Sequence, residues 1–176
     1  MTDEDVPPAA QLIRDFVNTR EPQTGREELR GPRDLGTWLG ARGLTGAGIG
    51  DDDLAVALRL REGLRAVLLT HAGHDADPSA IAALDAALSR VPVRLHLGPD
   101  GARLLPAGGS AQALAPLVEA VRACGQDQSW RRLKACSRDT CHWAYYDSSR
   151  NQSRRWCSMA GCGNYVKMRR RNGSRD

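Results

Sequence analysis

Residues 136–162, CSRDTCHWAYYDSSRNQSRRWCSMAGC, contain four of the five cysteines of this 176-residue chain. Cys136 and Cys141 form one close pair, Cys157 and Cys162 form a second pair with the same spacing, and fifteen residues separate the two. Two close pairs around a short loop are typical of a structural zinc site, in which four thiolates satisfy the ion and leave no position open for catalysis. The sequence therefore predicts zinc as the cofactor, with these four cysteines as its ligands.

Two disulfide bonds are the alternative to a metal site, and the predicted compartment argues against them. The N-terminus, MTDEDVPPAA, is acidic where a signal peptide would be basic and then apolar. No apolar run approaches the roughly 20 residues that a membrane helix needs. These features predict a cytoplasmic protein without membrane contact, and cytosolic proteins rarely rely on structural disulfides.

The segment around the cysteines is predicted to form a small treble-clef-like finger. The fifteen residues between the pairs resemble a hairpin in which Trp143 faces Trp156 and Asp147 faces Gln152. After Cys162, the segment NYVKMRRR has helical propensity. A unit this small cannot fold on hydrophobic burial alone, so we expect metal binding to supply most of its stability.

Upstream of the cysteines, apolar residues recur mostly at helical spacing. Helices are predicted in AAQLIRDFVNTR, RDLGTWLGARGL, the segment from Asp51 to about Thr70, SAIAALDAALSR, AQALAPLVEAVRAC and SWRRLKA. VPVRLHL, the turn GPDG and ARLLP predict a β-hairpin. The predicted fold class is α+β: a mostly helical N-terminal domain with a β-hairpin over residues 1–128, and a small C-terminal treble-clef-like zinc finger over residues 129–176.

Charge is divided unevenly along the chain. Residues 130–176 hold 12 Lys and Arg against three acidic residues, whereas residues 1–129 hold 13 against 18. A basic segment behind an acidic one points to a polyanionic partner such as double-stranded DNA. The candidate nucleic-acid-binding residues are Arg150, Arg154, Arg155, Lys167, Arg169, Arg170 and Arg171. One alternative is that the basic face docks on the acidic body. Another is that the partner is RNA, because the aromatic residues after Cys141 could stack on bases.

A second candidate site lies in the N-terminal half. Asp15, Asn18 and Arg20 cluster at the end of the first predicted helix, and with Arg61 they are candidates to line a pocket for a small anionic ligand. Ordinary helix capping and a snorkelling arginine are the alternative interpretation. No Gly-rich phosphate loop, G-x-S-x-G or H-E-x-x-H motif occurs, so nothing in the sequence predicts an enzyme.

Several segments resemble a known bacterial family. RRWCSMAGCGN at residues 154–164, followed by a basic helix, closely resembles the CGNR-type zinc finger, and DFVNTR, DLGTWL and LRLREGLRAVLL resemble the ABATE domain that typically precedes it. The resemblance covers nearly the whole chain and implies a stress-induced transcription regulator whose four cysteines bind zinc and whose finger binds DNA. The family motif ends in Arg, whereas this chain has Tyr165 there, which either removes an interaction with phosphate or replaces the arginine by stacking.

The resulting prediction is a bacterial transcription regulator that binds double-stranded DNA through its finger and senses a small ligand through its N-terminal domain. A homodimer is expected because many regulators read paired half-sites. Two alternatives stay open: a protein-interaction module with a structural zinc finger, and an uncharacterised enzyme that uses the N-terminal pocket.

Overall fold

Six α-helices and three two-stranded antiparallel sheets make up the part of the chain that this computed structural model describes, residues 6–44 and 48–173 without the side chain of Arg170. About half of the chain is helical, and the small sheets are hairpins. This architecture confirms the predicted α+β class. We call residues 6–128 the body and residues 129–173 the finger.

The helices of the body follow the predicted segments. They are α1 (Pro8–Val17), α2 (Pro32–Gly40), α3 (Asp51–His71), α4 (Pro78–Leu88) and α5 (Ala115–Gln126). Four of the five have a proline in their first two positions, where no backbone N–H is needed for the helix. The exception is α3, whose Asp53 accepts a hydrogen bond from the backbone N–H of Gly50 at 2.7 Å and so caps the first turn.

The hydrophobic core is arranged around α3. Its buried residues Leu60, Leu64 and Leu68 pack with Ile13 and Phe16 of α1 and with further apolar residues of α2 and α5. Because the chain has a single Phe, leucine provides most of the fully buried side chains.

Two hairpins belong to the body. β1 (Arg20–Glu21) and β2 (Arg26–Glu27) form a short one after α1, and β3 (Val93–Gly98) and β4 (Gly101–Pro106) form the predicted longer one. The longer hairpin is fixed to α5 through Glu119, whose carboxylate accepts a hydrogen bond from the N–H of Leu104 at 2.8 Å.

The finger contains a third hairpin and the last helix. β5 (Leu133–Ala135) pairs with β6 (Ala144–Tyr146), and α6 spans Asn164–Gly173. The prediction that SWRRLKA forms helical turns is wrong for its second half, because only Trp130–Arg132 adopts a short 3₁₀ turn. Leu133, Lys134 and Ala135 are all buried and need the strand hydrogen bonds that β6 supplies.

The predicted hairpin between the two cysteine pairs is also wrong. β6 does not pair with residues 152–156 but with β5, across the first cysteine pair, with Lys134 opposite Tyr145. The carbonyl groups of Gln152 and Arg154 instead accept hydrogen bonds from the buried ammonium group of Lys134. The Lys134 side chain thus provides these carbonyl groups with the hydrogen bonds that a neighbouring strand was expected to provide.

The finger strands complete the core of the body. Leu133, Ala135 and Ala144 are fully buried in the same hydrophobic cluster as α1 and α3. Within residues 6–44 and 48–173, no helix is both long enough and apolar enough to cross a membrane.

Candidate metal centre, basic surface and ligand residues

The four cysteines of the finger are brought together by a turn and a helix start. Cys136 follows β5, and its N–H donates to the carbonyl of Trp143 at 2.9 Å, which closes the turn that also carries Cys141. Cys162 lies in the short π-helical turn Met159–Gly163 that leads into α6. A turn bearing one pair and a helix start bearing the other is the arrangement expected of a treble-clef-like finger.

The sulfur atoms have the spacing of a tetrahedral site. All four Sγ atoms lie within 4.8 Å of one another, and the Cys141–Cys157 and Cys157–Cys162 sulfur pairs are each 3.8 Å apart. A tetrahedron with Zn–S bonds of about 2.3 Å has edges of about 3.8 Å. The cluster therefore fits a zinc ion. His142 follows Cys141 in the sequence but is not part of the group.

The thiols ionise unequally when they are this close. Hydrogen bonds from neighbouring thiols lower the pKa of Cys136 to about 2, whereas hydrogen bonding to Cys136 together with burial raises the pKa of Cys141 to about 12. The same two causes raise the pKa of Cys157. Cys136 therefore ionises easily, whereas ionisation of Cys141 and Cys157 is opposed. A cluster of four thiolates consequently needs the compensating charge of a cation.

Aromatic and cationic side chains cover the cluster. Trp143 and Trp156 both pack against the cysteines, although they do not face each other across a hairpin. The guanidinium of Arg138 lies 3.8 Å from the ring centroid of Tyr165, and its Nη1 is 3.9 Å from the Cys162 sulfur. Tyr165, which follows Asn164 at the start of α6, therefore stacks on a residue of the first cysteine turn.

A buried ion pair organises the loop between the cysteine pairs. The Nζ of Lys134 is 2.8 Å from Oδ2 of Asp147, and Asp147 is fully buried. Asp147 also accepts hydrogen bonds from the backbone N–H groups of Ser149 and Arg154 at 3.1 and 2.9 Å. Burial opposes its ionisation, yet the hydrogen bonds from Lys134 and Ser149 prevail and lower the pKa of Asp147.

The predicted nucleic-acid-binding residues differ in their surroundings. Most of them are exposed: Arg150, Arg155, Lys167, Arg169 and Arg171. Arg154 is half-buried, with its Nη2 on the carbonyl of Cys157 at 2.9 Å and its guanidinium 5.1 Å from the ring centroid of Tyr145. The side chain of Arg170 lies outside the described part of the structure.

The basic residues of α6 do not form one stripe. At 100° per residue, Lys167 and Arg171 lie on one side of the helix and Arg169 lies on the other. Arg169 lines a notch of about 280 Å³ together with Arg138, Ser137 and neighbouring residues. The notch adds Arg138 to the cationic residues of this surface.

The four predicted ligand-binding residues do not converge on one pocket. Asp15 and Asn18 line a cavity of about 500 Å³ between α1, α2 and β6, whereas Arg20 and Arg61 are not among the lining residues. Arg20 is exposed, with its Nη1 3.9 Å from the Glu62 carboxylate.

Arg61 is 2% exposed, and its guanidinium is engaged within the body. Nη1 and Nη2 donate to the two carboxylate oxygens of Glu27 at 2.7 Å each, Nη1 also contacts Thr19, and Nε donates to Glu62. These contacts place the guanidinium inside the body, so Arg61 does not snorkel to the surface as the alternative interpretation expected.

Sequence reasoning missed Arg65, and it did not predict that Asn18 joins the body to the finger. Arg65 is buried, and its two terminal nitrogens donate to the carbonyl of His142 at 2.9 Å and to that of Val17 at 2.6 Å. Asn18 donates to the carbonyl of Ala144 at 2.9 Å and accepts from its N–H at 2.8 Å. The only available signal for Arg65 was its position four residues after Arg61, on the buried side of a long helix.

Two family models match the chain. Residues 10–124 match the ABATE family, described as "Putative stress-induced transcription regulator", and residues 132–173 match the CGNR zinc finger. No significant match to a curated protein was found. The matched families are regulatory and zinc-finger families rather than enzyme families, and the CGNR match and the sulfur cluster agree on zinc as the cofactor. Since the first match spans about two thirds of the chain and the second follows it directly, this chain belongs to the ABATE family and carries a C-terminal CGNR zinc finger.

Proposed function

We propose that this protein is a transcription regulator that binds double-stranded DNA through its finger and responds to a small anionic ligand through its body. In this proposal Cys136, Cys141, Cys157 and Cys162 hold zinc, which fixes the start of α6 relative to the first cysteine turn. The finger and the body, residues 129–176 and 1–128, are its two functional units. We place it in the cytoplasm of a bacterium.

The observation that carries the DNA-binding proposal is a basic helix anchored at the metal cluster. α6 begins directly after Cys162 and exposes Lys167, Arg169 and Arg171. Lysine and arginine side chains that contact phosphates supply affinity without sequence specificity, and a helix in the major groove supplies the specificity. Arg150 and Arg155 extend the exposed positive charge to the loop between the cysteine pairs.

The contacts between body and finger also favour a free basic surface. Among the described residues, no ion pair joins a basic residue of α6 to an acidic residue of the body. The body holds the finger through Asn18 and Arg65, which bind finger backbone groups near β6. This supports the proposal that the positive charge of α6 serves to bind a polyanion and not the acidic body.

Fluorescence anisotropy of the zinc-loaded chain with a mixed-sequence duplex, titrated from about 50 to about 200 mM salt, tests the proposal. We expect affinity to fall steeply with salt. The triple variant Lys167→Ala, Arg169→Ala, Arg171→Ala should bind more weakly, with a log–log slope smaller by about 0.9 for each phosphate that the helix no longer neutralises. Cys157→Ser, which removes one metal ligand, should abolish binding.

The matched control removes three exposed arginines from the body: Arg33→Ala, Arg59→Ala and Arg90→Ala. Its net charge change equals that of the finger variant, so a general charge effect would change both slopes alike. An equal loss in both variants, or no binding of the wild-type protein at low salt, would reject DNA binding by α6.

A protein-interaction module is the second candidate, and one observation favours it. Met159 and Met168 of the finger are 47% and 65% exposed. Exposed methionines are adaptable contacts for a protein partner. Failure of the anisotropy experiment would favour this function. Homodimerisation is a separate proposal, and sedimentation of the zinc-loaded chain with and without duplex tests it.

A further inference from the structure

The four cysteines of the metal cluster are not equally accessible. Cys136, Cys141 and Cys162 are buried, whereas Cys157 is half-buried. Cys157 also lines the cavity of about 500 Å³ between α1, α2 and β6, and the other three cysteines do not. A small solute that enters this cavity therefore meets Cys157 before any other residue of the cluster.

The sulfur atoms of the cluster also differ in their hydrogen bonds. The sulfur of Cys136 accepts from the backbone N–H groups of Arg138 and Cys157, and the sulfur of Cys141 accepts from a further backbone N–H. The Nη1 of Arg138 is 3.9 Å from the sulfur of Cys162. Among the residues that the structure describes, only sulfur atoms of other cysteines are hydrogen-bonded to the sulfur of Cys157. N–H groups that stabilise a thiolate make it a weaker nucleophile, so Cys157 has the most reactive sulfur of the four.

A second thiol group lies close to Cys157 on two sides. The Sγ of Cys157 is 3.8 Å from the Sγ of Cys141 and 3.8 Å from that of Cys162. The sulfur atoms of a disulfide bond are about 2.05 Å apart, so a movement of about 2 Å joins either pair. A bound zinc ion keeps its cysteine ligands as thiolates, and the thiolate is the form of cysteine that oxidants attack. Cys157 thus combines access, reactivity and a neighbouring sulfur.

We propose that Cys157 is an oxidation site, at which hydrogen peroxide attacks the zinc-loaded cluster from the cavity. The Cys157 sulfur forms a bond to one peroxide oxygen, the O–O bond breaks, and hydroxide leaves, which gives a sulfenic acid. The thiolate of Cys141 or Cys162 then attacks the Cys157 sulfur, the S–O bond breaks, and a second hydroxide leaves as the disulfide forms. The two sulfur atoms together lose two electrons, which reduce the peroxide to two hydroxide ions.

The disulfide removes two of the four metal ligands, so zinc is released. Cys162 lies at the start of α6 and Cys141 lies in the turn before β6, so loss of the metal frees the basic helix from the rest of the finger. The consequence for DNA rests on the proposed function, in which α6 contacts the duplex. The oxidation of Cys157 itself does not depend on that function.

The test treats the zinc-loaded full chain with limiting hydrogen peroxide, without DNA. A chromogenic chelator measures the released zinc, and mass spectrometry of peptides from acid-quenched, alkylated samples identifies the first disulfide. We expect zinc to be released and the first disulfide to join Cys157 to Cys141 or Cys162. Reduction and added zinc should restore the loaded protein. Cys124, which is fully buried and lies outside the cluster, is the internal control and should stay reduced.

The variants Cys157→His and Cys162→His distinguish Cys157 from its neighbour, because histidine also binds zinc but forms no disulfide. Cys157→His should slow the release of zinc by peroxide about tenfold or more, since the accessible thiolate is gone. Cys162→His is the matched control and should change the rate less than about twofold, because Cys157 is still oxidised and still pairs with Cys141. The zinc content of each variant is measured before peroxide is added, and if either variant binds no zinc, the disulfide map of the wild-type protein decides.

The inference is overturned if the first disulfide lacks Cys157, if the two histidine variants release zinc at the same rate, or if peroxide leaves the metal in place. These outcomes are independent of DNA binding. Anisotropy with duplex on the reduced, zinc-loaded protein shows separately whether the finger binds DNA, so failure of the oxidation site and failure of the DNA-binding proposal are distinguished.

Discussion

Arg61 and Arg65 lie one turn apart on α3, and both guanidinium groups are buried. Removing an arginine side chain from water costs several kcal/mol unless its charge and its donors are satisfied. Glu27 receives two hydrogen bonds from Arg61, and Glu62 bridges Arg61 and Arg65. Arg65 has less carboxylate contact, and burial lowers its pKa even though Glu62 opposes this shift.

Replacement of Arg61 by Ala should therefore be strongly destabilising. The change leaves the half-buried Glu27 without its bidentate partner, and because breaking a fully buried pair typically costs about 3 to 5 kcal/mol, we expect a loss near the lower end of that range. Urea unfolding measures the loss. Arg20→Ala, which removes an exposed arginine 3.9 Å from Glu62, should cost less than about 1 kcal/mol. Equal losses in the two variants would contradict the structural role assigned to Arg61.

Glu27 also makes the free energy of unfolding depend on pH. Burial opposes its ionisation, but hydrogen bonds from Arg61 and the N–H of Leu29 prevail, and the pKa of Glu27 lies below its ordinary value of 4.5. A carboxyl group whose pKa is lowered by folding contributes stability above its unfolded pKa, and this contribution is lost as the pH falls through the folded pKa.

The free energy of unfolding should thus fall on acidification below about pH 4.5, and Glu27→Gln should reduce the steepness of that fall. Urea unfolding at a series of pH values measures the slope. Asp52→Asn, at an exposed position on α3, is the control and should leave the slope close to that of the wild-type protein. A Glu27→Gln slope identical to wild type would show that this carboxyl group does not carry the effect.

At the scale of elements, the sequence predicted what depends on local patterns and missed what depends on distant partners. The helices of the body and the hairpin of β3 and β4 were predictable because apolar spacing, capping residues and turn residues are local signals. The spacing of the cysteines also predicted a cluster whose sulfurs the fold brings within 4.8 Å. The strand at Leu133–Ala135 was not predictable, because it forms only when β6 lies beside it and α3 lies beneath it.

The loop between the cysteine pairs shows the same limit. Its alternating aromatic and polar residues suggested a hairpin, yet Lys134 and Asp147 replace strand pairing with side-chain hydrogen bonds. A lysine in the strand before the first cysteine has no sequence feature that marks it as the partner of an aspartate thirteen residues later. The contact follows from β5 and β6 lying side by side, which places the two charges near each other.

This ion pair makes the finger sensitive to a single substitution. Asp147→Asn should destabilise the protein by about 3 to 5 kcal/mol, because it leaves the Lys134 ammonium buried and uncompensated. The double variant Lys134→Met, Asp147→Leu should not recover that loss, because it leaves the carbonyl groups of Gln152 and Arg154 and the N–H groups of Ser149 and Arg154 without their side-chain partners. Urea unfolding of zinc-loaded samples measures both, and a double variant as stable as the wild-type protein would contradict this account.

At the scale of the whole molecule, the finger and the body share a hydrophobic core. Ala144 of β6 is fully buried against the body, and both of its backbone polar groups are hydrogen-bonded to the side chain of Asn18. Arg65 links His142 to the C-terminal end of α1 in the same region. The four-cysteine cluster includes the turn from which β6 emerges, so a metal bound there would act on the surface that completes the core of the body.

Removal of zinc should therefore lower the melting temperature of the body helices, and not only that of the finger. A ligand that binds only the folded state stabilises every part of the protein that unfolds cooperatively with its site. Circular dichroism at 222 nm, to which α1–α5 contribute most of the helix, measures the melting temperature with and without a chelator. Asn18→Ala should shrink the difference, because it leaves two buried backbone groups of Ala144 unpaired and so weakens the junction by about 1 to 3 kcal/mol.

Asn151→Ala, at an exposed position in the loop of the finger, is the matched control and should preserve the full effect of zinc on the body. If the body melted at the same temperature with and without metal, residues 1–128 and 129–176 would be thermodynamically independent. In that case a ligand between them would have no means of changing how α6 is presented to DNA. A shared transition, in contrast, gives the metal, the cavity and the basic helix a common equilibrium through which each affects the others.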